Sequence, residues 1–206
     1  MSSDAILLTI ALAAGGYILG AVPFALVVAR GLYGVDIRTM GTGNVGAGNV
    51  RAVLGTGAGA VVMTCDMAKG FVPALAAVFL LPAWPAALVA FMPVVGHQYS
   101  VFLRGAGGKG IATAAGAVLP LAPIVFAVTM VPWIVVVSVR RLRKAGPFVA
   151  GGTYLVASFV VPGPAAYRAL AVAVCVSVLL AFRRRPGTPA AAADGGRSSE
   201  AGPPGD

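Results

Sequence analysis

The sequence predicts an all-α, polytopic integral membrane protein with about seven transmembrane helices, some of them short or broken. Hydrophobic residues make up 59% of the 206-residue chain and charged residues only 10%, which is unlike a soluble domain. The apolar residues form long runs over 5–29, 71–95, 111–137 and 148–182. Several of these runs exceed the about 20 residues that a helix needs to cross a bilayer.

The first run, residues 5–29, has the length of a spanning helix. The residues before it, 1–4, contain no Lys or Arg, and the apolar stretch is longer than the core of a cleavable signal peptide. We therefore expect this segment to stay in the protein as a helix.

Prolines divide the three later runs. Because proline removes a helical hydrogen bond, each proline cluster marks a point where the chain can turn. The clusters are Pro82 with Pro85, Pro120 with Pro123, and Pro162 with Pro164. We therefore expect each of these runs to fold as a hairpin rather than as one helix.

One of the resulting segments, residues 71–81, is too short to span a bilayer upright. The preceding residues 53–65 either continue into that helix or form a re-entrant half-helix. The sequence leaves both possibilities open.

The basic residues indicate the topology. By the positive-inside rule, the loops that carry them are expected in the cytoplasm, which places the N-terminus outside, the C-terminus inside and Arg168 alone outside. These loops contain Arg30, Arg38 and Arg51, then Arg104 and Lys109, then Arg140 to Lys144, and finally Arg183 to Arg185. A net charge of +9 could indicate a nucleic acid partner. However, the basic residues lie at the ends of apolar runs, without interleaved aromatic residues or a soluble domain, so no nucleic acid partner is expected.

The chain divides into two parts by composition. Residues 1–185 are expected to form the membrane-embedded domain. Residues 186–206 are rich in Pro, Gly, Ala and Ser without apolar periodicity, which predicts a disordered cytoplasmic tail.

The first polar segment, VDIRTMGTGNVGAGNV at 35–50, is rich in glycine and asparagine. Glycines let backbone N–H groups approach an anion, and a helix starting near Asn49 or Val50 would add its positive dipole end. We therefore expect a phosphate site here. Gly41–Gly46 also matches a dinucleotide fingerprint, but no βαβ unit can be assembled around it. A plain interhelical loop is the other alternative.

The second polar segment, CDMAKG at 65–70, places Asp66 and Lys69 at i, i+3. On a helix the two side chains share a face and can neutralise each other. A structural ion pair and a functional site are both open, because ionisable residues near membrane depth are candidates for function.

The third polar segment, GHQYSVFLRGAGGKGIATAAG at 96–116, holds the single histidine of the chain, His97. His97, Ser100 and Lys109 share a glycine-rich loop that is expected to enter a helix at Ile111. It is not a phosphate-binding Walker loop, because Gly110 follows the lysine where Ser or Thr is required. The spacing does not establish Ser100 as a nucleophile. Neither Cys65 nor Cys175 has a metal-type spacing, so no metal or cofactor is expected.

Together, GYILGAVPFALVVAR, GVDIRTMGTGNVGAGNV, DMAKG and GHQYSVFLRGAGGKGIAT closely resemble the acyl-phosphate-dependent glycerol-3-phosphate acyltransferases of bacterial membranes, the PlsY family. The pieces follow the order and spacing of that family over residues 16–116. The resemblance implies a multi-pass protein of the inner (plasma) membrane whose active site faces the cytoplasm. It also implies acyl phosphate and glycerol 3-phosphate as substrates, membrane lipids as surroundings and lysophosphatidic acid as product.

The residues that match the family's motifs are the expected site. The expected catalytic residues are Asn44, Lys109, His97 and Ser100. The expected substrate-binding residues are Arg38, Gly41, Thr42, Gly43, Gly46, Lys69, Gly107 and Gly108. Because acyl phosphate is already activated, the protein need not supply a nucleophile. We expect the donor phosphate to act as general base, since His97 has no carboxylate near it in sequence.

The chain also departs from the family pattern. Ala21 and Gly48 stand where Ser and Thr are common, and Gly105 and Ala106 replace a Phe-Lys pair. The usual Ser-rich segment reads GPFVAGGTY, and the C-terminal His-Arg-x-Asn-Ile pattern is reduced to FRRRPGTP. An inactive paralogue therefore stays an alternative, as does a transporter or flippase for a phosphorylated small molecule or lipid. The oligomeric state is left open.

Overall fold

The computed structural model describes residues 2–184, and every regular element in that range is helical. The expected tail at 186–206 lies outside the described residues. The α-helices in that range are α1 (Ser3–Ala21), α2 (Phe24–Tyr33), α3 (Ala47–Leu54), α4 (Thr56–Leu80), α5 (Ala83–Gln98), α6 (Ile111–Leu121), α7 (Pro123–Ser138), α8 (Gly146–Val160) and α9 (Ala165–Arg183). Short 3₁₀ turns at Ile37–Thr39, Val101–Leu103 and Arg143–Ala145 complete the chain.

Four helical stretches within residues 2–184 are long and apolar enough to cross a membrane. They are Ser3–Tyr33, which joins α1 and α2, Thr56–Leu80, Ala83–Leu103 and Ala165–Arg183. Two shorter apolar helices are α6 and α7. The predicted all-α class is thereby confirmed.

The helices break at the predicted proline clusters. Leu81 and Pro82 separate α4 from α5, Ala122 separates α6 from α7, and residues 161–164 separate α8 from α9. Pro85 lies in the first turn of α5, where a missing N–H costs little. Other prolines, such as Pro73 and Pro93, lie inside helices, which membrane helices tolerate better than soluble ones.

The open question about residues 53–65 has a simple answer. Helix α3 ends at Leu54, Gly55 takes a positive φ of 96°, and α4 then runs unbroken from Thr56 to Leu80. Its 25 residues are about 37 Å long, more than the about 30 Å of a bilayer core. Residues 56–65 are therefore the first part of a helix long enough to span the membrane and not a separate half-helix.

Glycines set the distances between the central helices. A Cβ on Gly20 of α1 would collide with the backbone of Pro93, and one on Gly96 of α5 with the carbonyl of Tyr17. Between α4 and α6, a Cβ on Gly70 would likewise collide with the Thr113 carbonyl. Small residues of this kind let membrane helices pack backbone to backbone. Because Gly70 and Gly96 follow and precede the polar residues Lys69 and His97, this packing also fixes the candidate site.

Candidate active site

The site is built on the break between α1 and α2. Helix α1 ends at Ala21 and α2 begins at Phe24, which leaves the last carbonyls of α1 without helical partners. The hydroxyl of Ser100 donates to the Ala21 carbonyl over 2.5 Å, and the Nζ of Lys69 donates to the Val22 carbonyl over 2.9 Å. A cation suits this position, since the C-terminal end of a helix carries partial negative charge.

Asp66, Lys69 and His97 form a buried cluster between α4 and α5. Lys69 Nζ lies 2.9 Å and His97 Nδ1 lies 3.6 Å from the same atom, Asp66 Oδ1. The exposed fractions of the three residues are 2%, 2% and 7%. The i, i+3 pair predicted from the sequence is therefore present and almost fully removed from solvent.

His97 has no carboxylate near it in sequence, but the fold places one beside it. Asp66 lies far from His97 in sequence, and only the packing of α4 against α5 brings their side chains together. Asp66 was missing from the predicted site for this reason. Its ion pair with Lys69 was the available signal, because a carboxylate at membrane depth requires a partner.

The other ring nitrogen of His97 points at the third polar segment. A Cβ on Gly108 would collide with His97 Nε2, and a Cβ on Gly107 would collide with the His97 carbonyl. The N–H of Gly108 also donates to that carbonyl over 3.0 Å. Gly107 and Gly108 are thus required for close approach to His97, a role that the sequence had linked to phosphate alone.

A small cleft opens over this cluster. It is lined by Gly20, Ala21, Val22, Pro23, Val45, Lys69, His97, Ser100, Leu103 and Gly108. The cleft therefore joins the helix break, the charged cluster, the third polar segment and, through Val45, the first polar loop.

The first polar loop is organised by Asn49, which is 4% exposed. Its Oδ1 accepts from the Thr42 N–H over 2.9 Å, and its Nδ2 donates to the carbonyls of Ile37 and Met40. Gly41 has a φ of 59°, and a Cβ there would collide with Asn49 Oδ1. Asn49 is therefore a structural member of the loop that the predicted site did not include.

These contacts change how the loop can hold an anion. The N–H groups of Thr42 and Gly43 are already occupied, the second by the Met40 carbonyl over 3.0 Å. Helix α3 begins at Ala47 with Gly46 as its N-cap residue, slightly before the predicted start at Asn49 or Val50. The loop thus offers the α3 N-terminus and the side chain of Asn44 rather than an open row of N–H groups.

Arg38 forms an ion pair with Asp36, a residue outside the predicted site. Arg38 Nε and Nη2 donate to the two Asp36 oxygens over 2.9 and 2.6 Å, and Arg30 Nη2 reaches Oδ2 over 2.6 Å. The hydrogen bond from Arg38 holds the pKa of Asp36 far below its ordinary value, and the same contact raises the pKa of Arg38.

Lys109 lies apart from the buried cluster. Its Nζ stands 3.7 Å from the centroid of the Phe182 ring on α9, and its carbonyl accepts from Gln98 Nε2 over 3.0 Å. Partial burial lowers the pKa of Lys109. In the part of the chain that the structure describes, no hydrogen bond or ion pair links Lys109 or Arg38 to Asp66, Lys69 or His97.

Comparison with known proteins identifies the family of this chain. The family model described as glycerol-3-phosphate acyltransferase matches residues 10–190, most of the chain. The chain belongs to the glycerol-3-phosphate acyltransferase family. It is thus an acyltransferase of the membrane, and the resemblance found in the sequence is confirmed.

Relatives in this acyltransferase family cover most of the chain. A glycerol-3-phosphate acyltransferase of Myxococcus xanthus (strain DK1622) is 43% identical over 148 residues, 71% of this chain and 77% of the relative. One from Aquifex aeolicus (strain VF5) is 36% identical over 171 residues, 82% of this chain and 88% of the relative.

Two solved structures share the fold of this acyltransferase. Both are crystal structures of PlsY (YgiH), described as an integral membrane glycerol 3-phosphate acyltransferase, in glycerol 3-phosphate and lysophosphatidic acid forms. The TM-scores are 0.80 and 0.79 at 33% identity, and 85% of this chain is matched to 88% of the solved chain. The integral membrane architecture is therefore shared.

Proposed function

We propose that this chain transfers a fatty acyl group from acyl phosphate to the 1-hydroxyl of glycerol 3-phosphate, yielding lysophosphatidic acid for phospholipid synthesis. The observation that carries the proposal is the family match over residues 10–190, because it spans all three polar segments of the site. Relatives named for this activity and PlsY structures with substrate and product forms support the acceptor and the product.

The acyl transfer needs no nucleophile from the protein. The glycerol hydroxyl oxygen bonds to the acyl carbon, the bond from that carbon to the phosphate oxygen breaks, and inorganic phosphate leaves. Ser100 supports this direct route, because the residue is 1% exposed and its hydroxyl donates to the Ala21 carbonyl. Ser100 is thus proposed to support the helix break rather than to attack the donor.

The proton of the glycerol hydroxyl passes to the leaving phosphate. The imidazole of His97 is a second candidate base, and Asp66 on Nδ1 would orient it as in catalytic dyads. However, Nε2 is packed against Gly108, where even a Cβ does not fit. Because Gly108 packs directly against that nitrogen, we assign His97 a positioning role and the donor phosphate the role of base.

Positive charge around the cleft has to hold two phosphate-bearing substrates together. Lys69 is neutralised by Asp66, so its share in phosphate binding is limited to orientation and short-range hydrogen bonding. Lys109, Arg38 and the N-terminus of α3 supply the remaining positive field, and Asn44 orients the attacking hydroxyl.

The proposed topology follows from the order of the helices and the positions of the basic loops. If α1 and α2 cross together, and α4 to α9 cross once each, seven crossings put the N-terminus outside and the C-terminus inside. The polar segments then meet on the cytoplasmic face of the inner membrane. Contacts of Lys69 and Ser100 with the α1–α2 break support a single shared face.

A product assay on the purified protein tests the proposal. Acyl phosphate and glycerol 3-phosphate are supplied in detergent or lipid discs, and lysophosphatidic acid and inorganic phosphate are measured together. We expect both products in equal amounts and none with acyl thioesters as donors. Glycerol 3-phosphate uptake into proteoliposomes without product would favour the transporter, and no product with no uptake would indicate an inactive paralogue.

A further inference from the structure

The C-terminal end of α9 lies against the third polar segment through two cation–aromatic contacts. Lys109 Nζ lies 3.7 Å from the Phe182 ring centroid, and Arg184 Cζ lies 3.7 Å from the Tyr99 ring centroid. Both distances are well inside the about 6 Å range of this interaction. In one contact α9 supplies the aromatic ring, and in the other the residue just after α9 supplies the cation.

Among the described residues, the charge of Lys109 has no carboxylate partner, in contrast to the charges of Lys69, Arg30 and Arg38. Lys69 is paired with Asp66, and Arg30 and Arg38 share Asp36. The remaining acidic residue within residues 2–184 is Asp4, in the first turn of α1. Lys109 is thus held by a ring face, which stabilises a cation without cancelling its charge.

The surroundings fix the position of that ring and of the lysine backbone. Phe182 packs against Phe148 of α8 with ring centroids 5.1 Å apart. Gln98 Nε2 donates to the Lys109 carbonyl over 3.0 Å and lies 3.4 Å from Ser177 Oγ on α9. Arg184 Nη1 donates in turn to the Gln98 carbonyl over 3.4 Å.

We infer that Phe182 and Arg184 are positioning residues for acyl transfer. Phe182 holds the Lys109 ammonium as an uncompensated cation for a substrate phosphate. Arg184 fixes the start of the third polar segment at Gln98 and Tyr99. The inference rests on the proposed function, since it requires phosphate-bearing substrates. It assigns a role to α9 in a chain whose C-terminus lacks the His-Arg-x-Asn-Ile pattern.

The test compares Phe182→Leu with Phe182→Trp in the purified full chain. The Leu variant keeps apolar volume but removes the ring face, whereas Trp retains it. We expect Leu to raise the KM for a phosphate substrate by about three- to thirty-fold, the range of a partly desolvated cation–π contact, and Trp to stay near wild type. Phe159→Leu, at an exposed aromatic of α8, is the matched control and should change nothing.

The pH profile separates this role from simple packing. Without the ring, the charged form of Lys109 is less stable, so the alkaline limb of kcat/KM should move to lower pH. In a Lys109→Arg background that shift should vanish, because arginine stays charged. A loss of kcat with KM and the alkaline limb unmoved would show that Phe182 only packs, and would overturn the inference.

Two further outcomes are decisive. If the wild type produces no lysophosphatidic acid, both the proposed function and this inference are wrong. If the wild type is active and Phe182→Leu has wild-type kinetics, only the inference fails. Should Phe182→Leu not fold, Arg184→Met against Arg184→Lys applies the same comparison, since Lys keeps a cation over Tyr99 and Met does not.

Discussion

The two lysines of the polar segments are held in opposite ways. Lys69 lies inside α4, is 2% exposed and contacts both a carboxylate and a backbone carbonyl. Lys109 lies in a loop, is partly buried and rests on the face of Phe182. A neutralised cation in the interior holds helices together, whereas a cation on a ring keeps its charge for a ligand. We therefore expect Lys69 to serve mainly the packing of the helices and Lys109 to serve substrate binding.

The largest effect should come from breaking the buried pair. Lys69→Met leaves Asp66 as an uncompensated buried charge, which typically costs about 3–5 kcal/mol of stability. We expect lower thermal stability in detergent and loss of the monodisperse peak in size-exclusion chromatography. Asp66→Asn with Lys69→Met should regain much of that stability, because neither charge is then left alone.

The activity of that double variant tests whether Lys69 also binds substrate. If the double variant regains stability but not turnover, Lys69 also contributes to substrate binding. If turnover returns to the wild-type level, Lys69 is only a partner for Asp66, and phosphate binding passes to Lys109 and Arg38.

Lys109→Met should show the complementary result. Removing a charge-assisted phosphate contact costs about 1.5–3 kcal/mol, on the order of ten- to a hundred-fold in kcat/KM. Thermal stability should stay close to wild type, because no carboxylate loses its partner. Lys109→Arg should rescue activity only partly, since its planar group places charge differently. Normal turnover in the Met variant would contradict the assignment of Lys109.

Glycine variants test the close approaches around both regions. Gly108→Ala pushes a methyl group towards His97 Nε2, and overpacking of this kind costs about 1–3 kcal/mol. Gly43→Ala, at a φ of 70°, strains the first loop by about 1–2 kcal/mol. Both variants, and Asn44→Ala, should lose turnover while still inserting into the membrane. Gly48→Ala, with open space around it, is the control.

The smallest effect concerns the exposed charges of the first loop. The pKa of Asp36 is lower in the folded protein than in the unfolded chain, so its stabilisation is complete above its ordinary value and disappears as the pH falls below about 4. Thermal unfolding of Asp36→Asn should therefore differ from wild type at pH 7 and converge with it in acid. A constant difference at every pH would mean that Arg30 and Arg38 do not stabilise this carboxylate.

Topology can be checked independently of catalysis. Single cysteines at positions 39, 105 and 143, in a background with Cys65 and Cys175 replaced, should resist an impermeant reagent added outside the cell. Strong labelling at 39 or 105 would contradict a cytoplasmic active site.

The membrane class, the helix breaks at prolines and the identity of the polar segments could be predicted from the sequence. These features are local, since they depend on the length of apolar runs, on the missing N–H of proline and on residue order within a motif. The i, i+3 pair of Asp66 and Lys69 was predictable for the same reason, because a helix fixes that spacing.

Which side chains meet depends on how the helices pack in three dimensions. His97 reaches Asp66 because α5 packs against α4, while Gly96 and Gly70 hold these two helices against α1 and α6. Lys109 reaches Phe182 because α9 returns beside the third segment. Contacts of this kind join residues distant in sequence and depend on distances of a few ångström between helices. No local pattern contains that information, since it arises from the packing of the whole bundle.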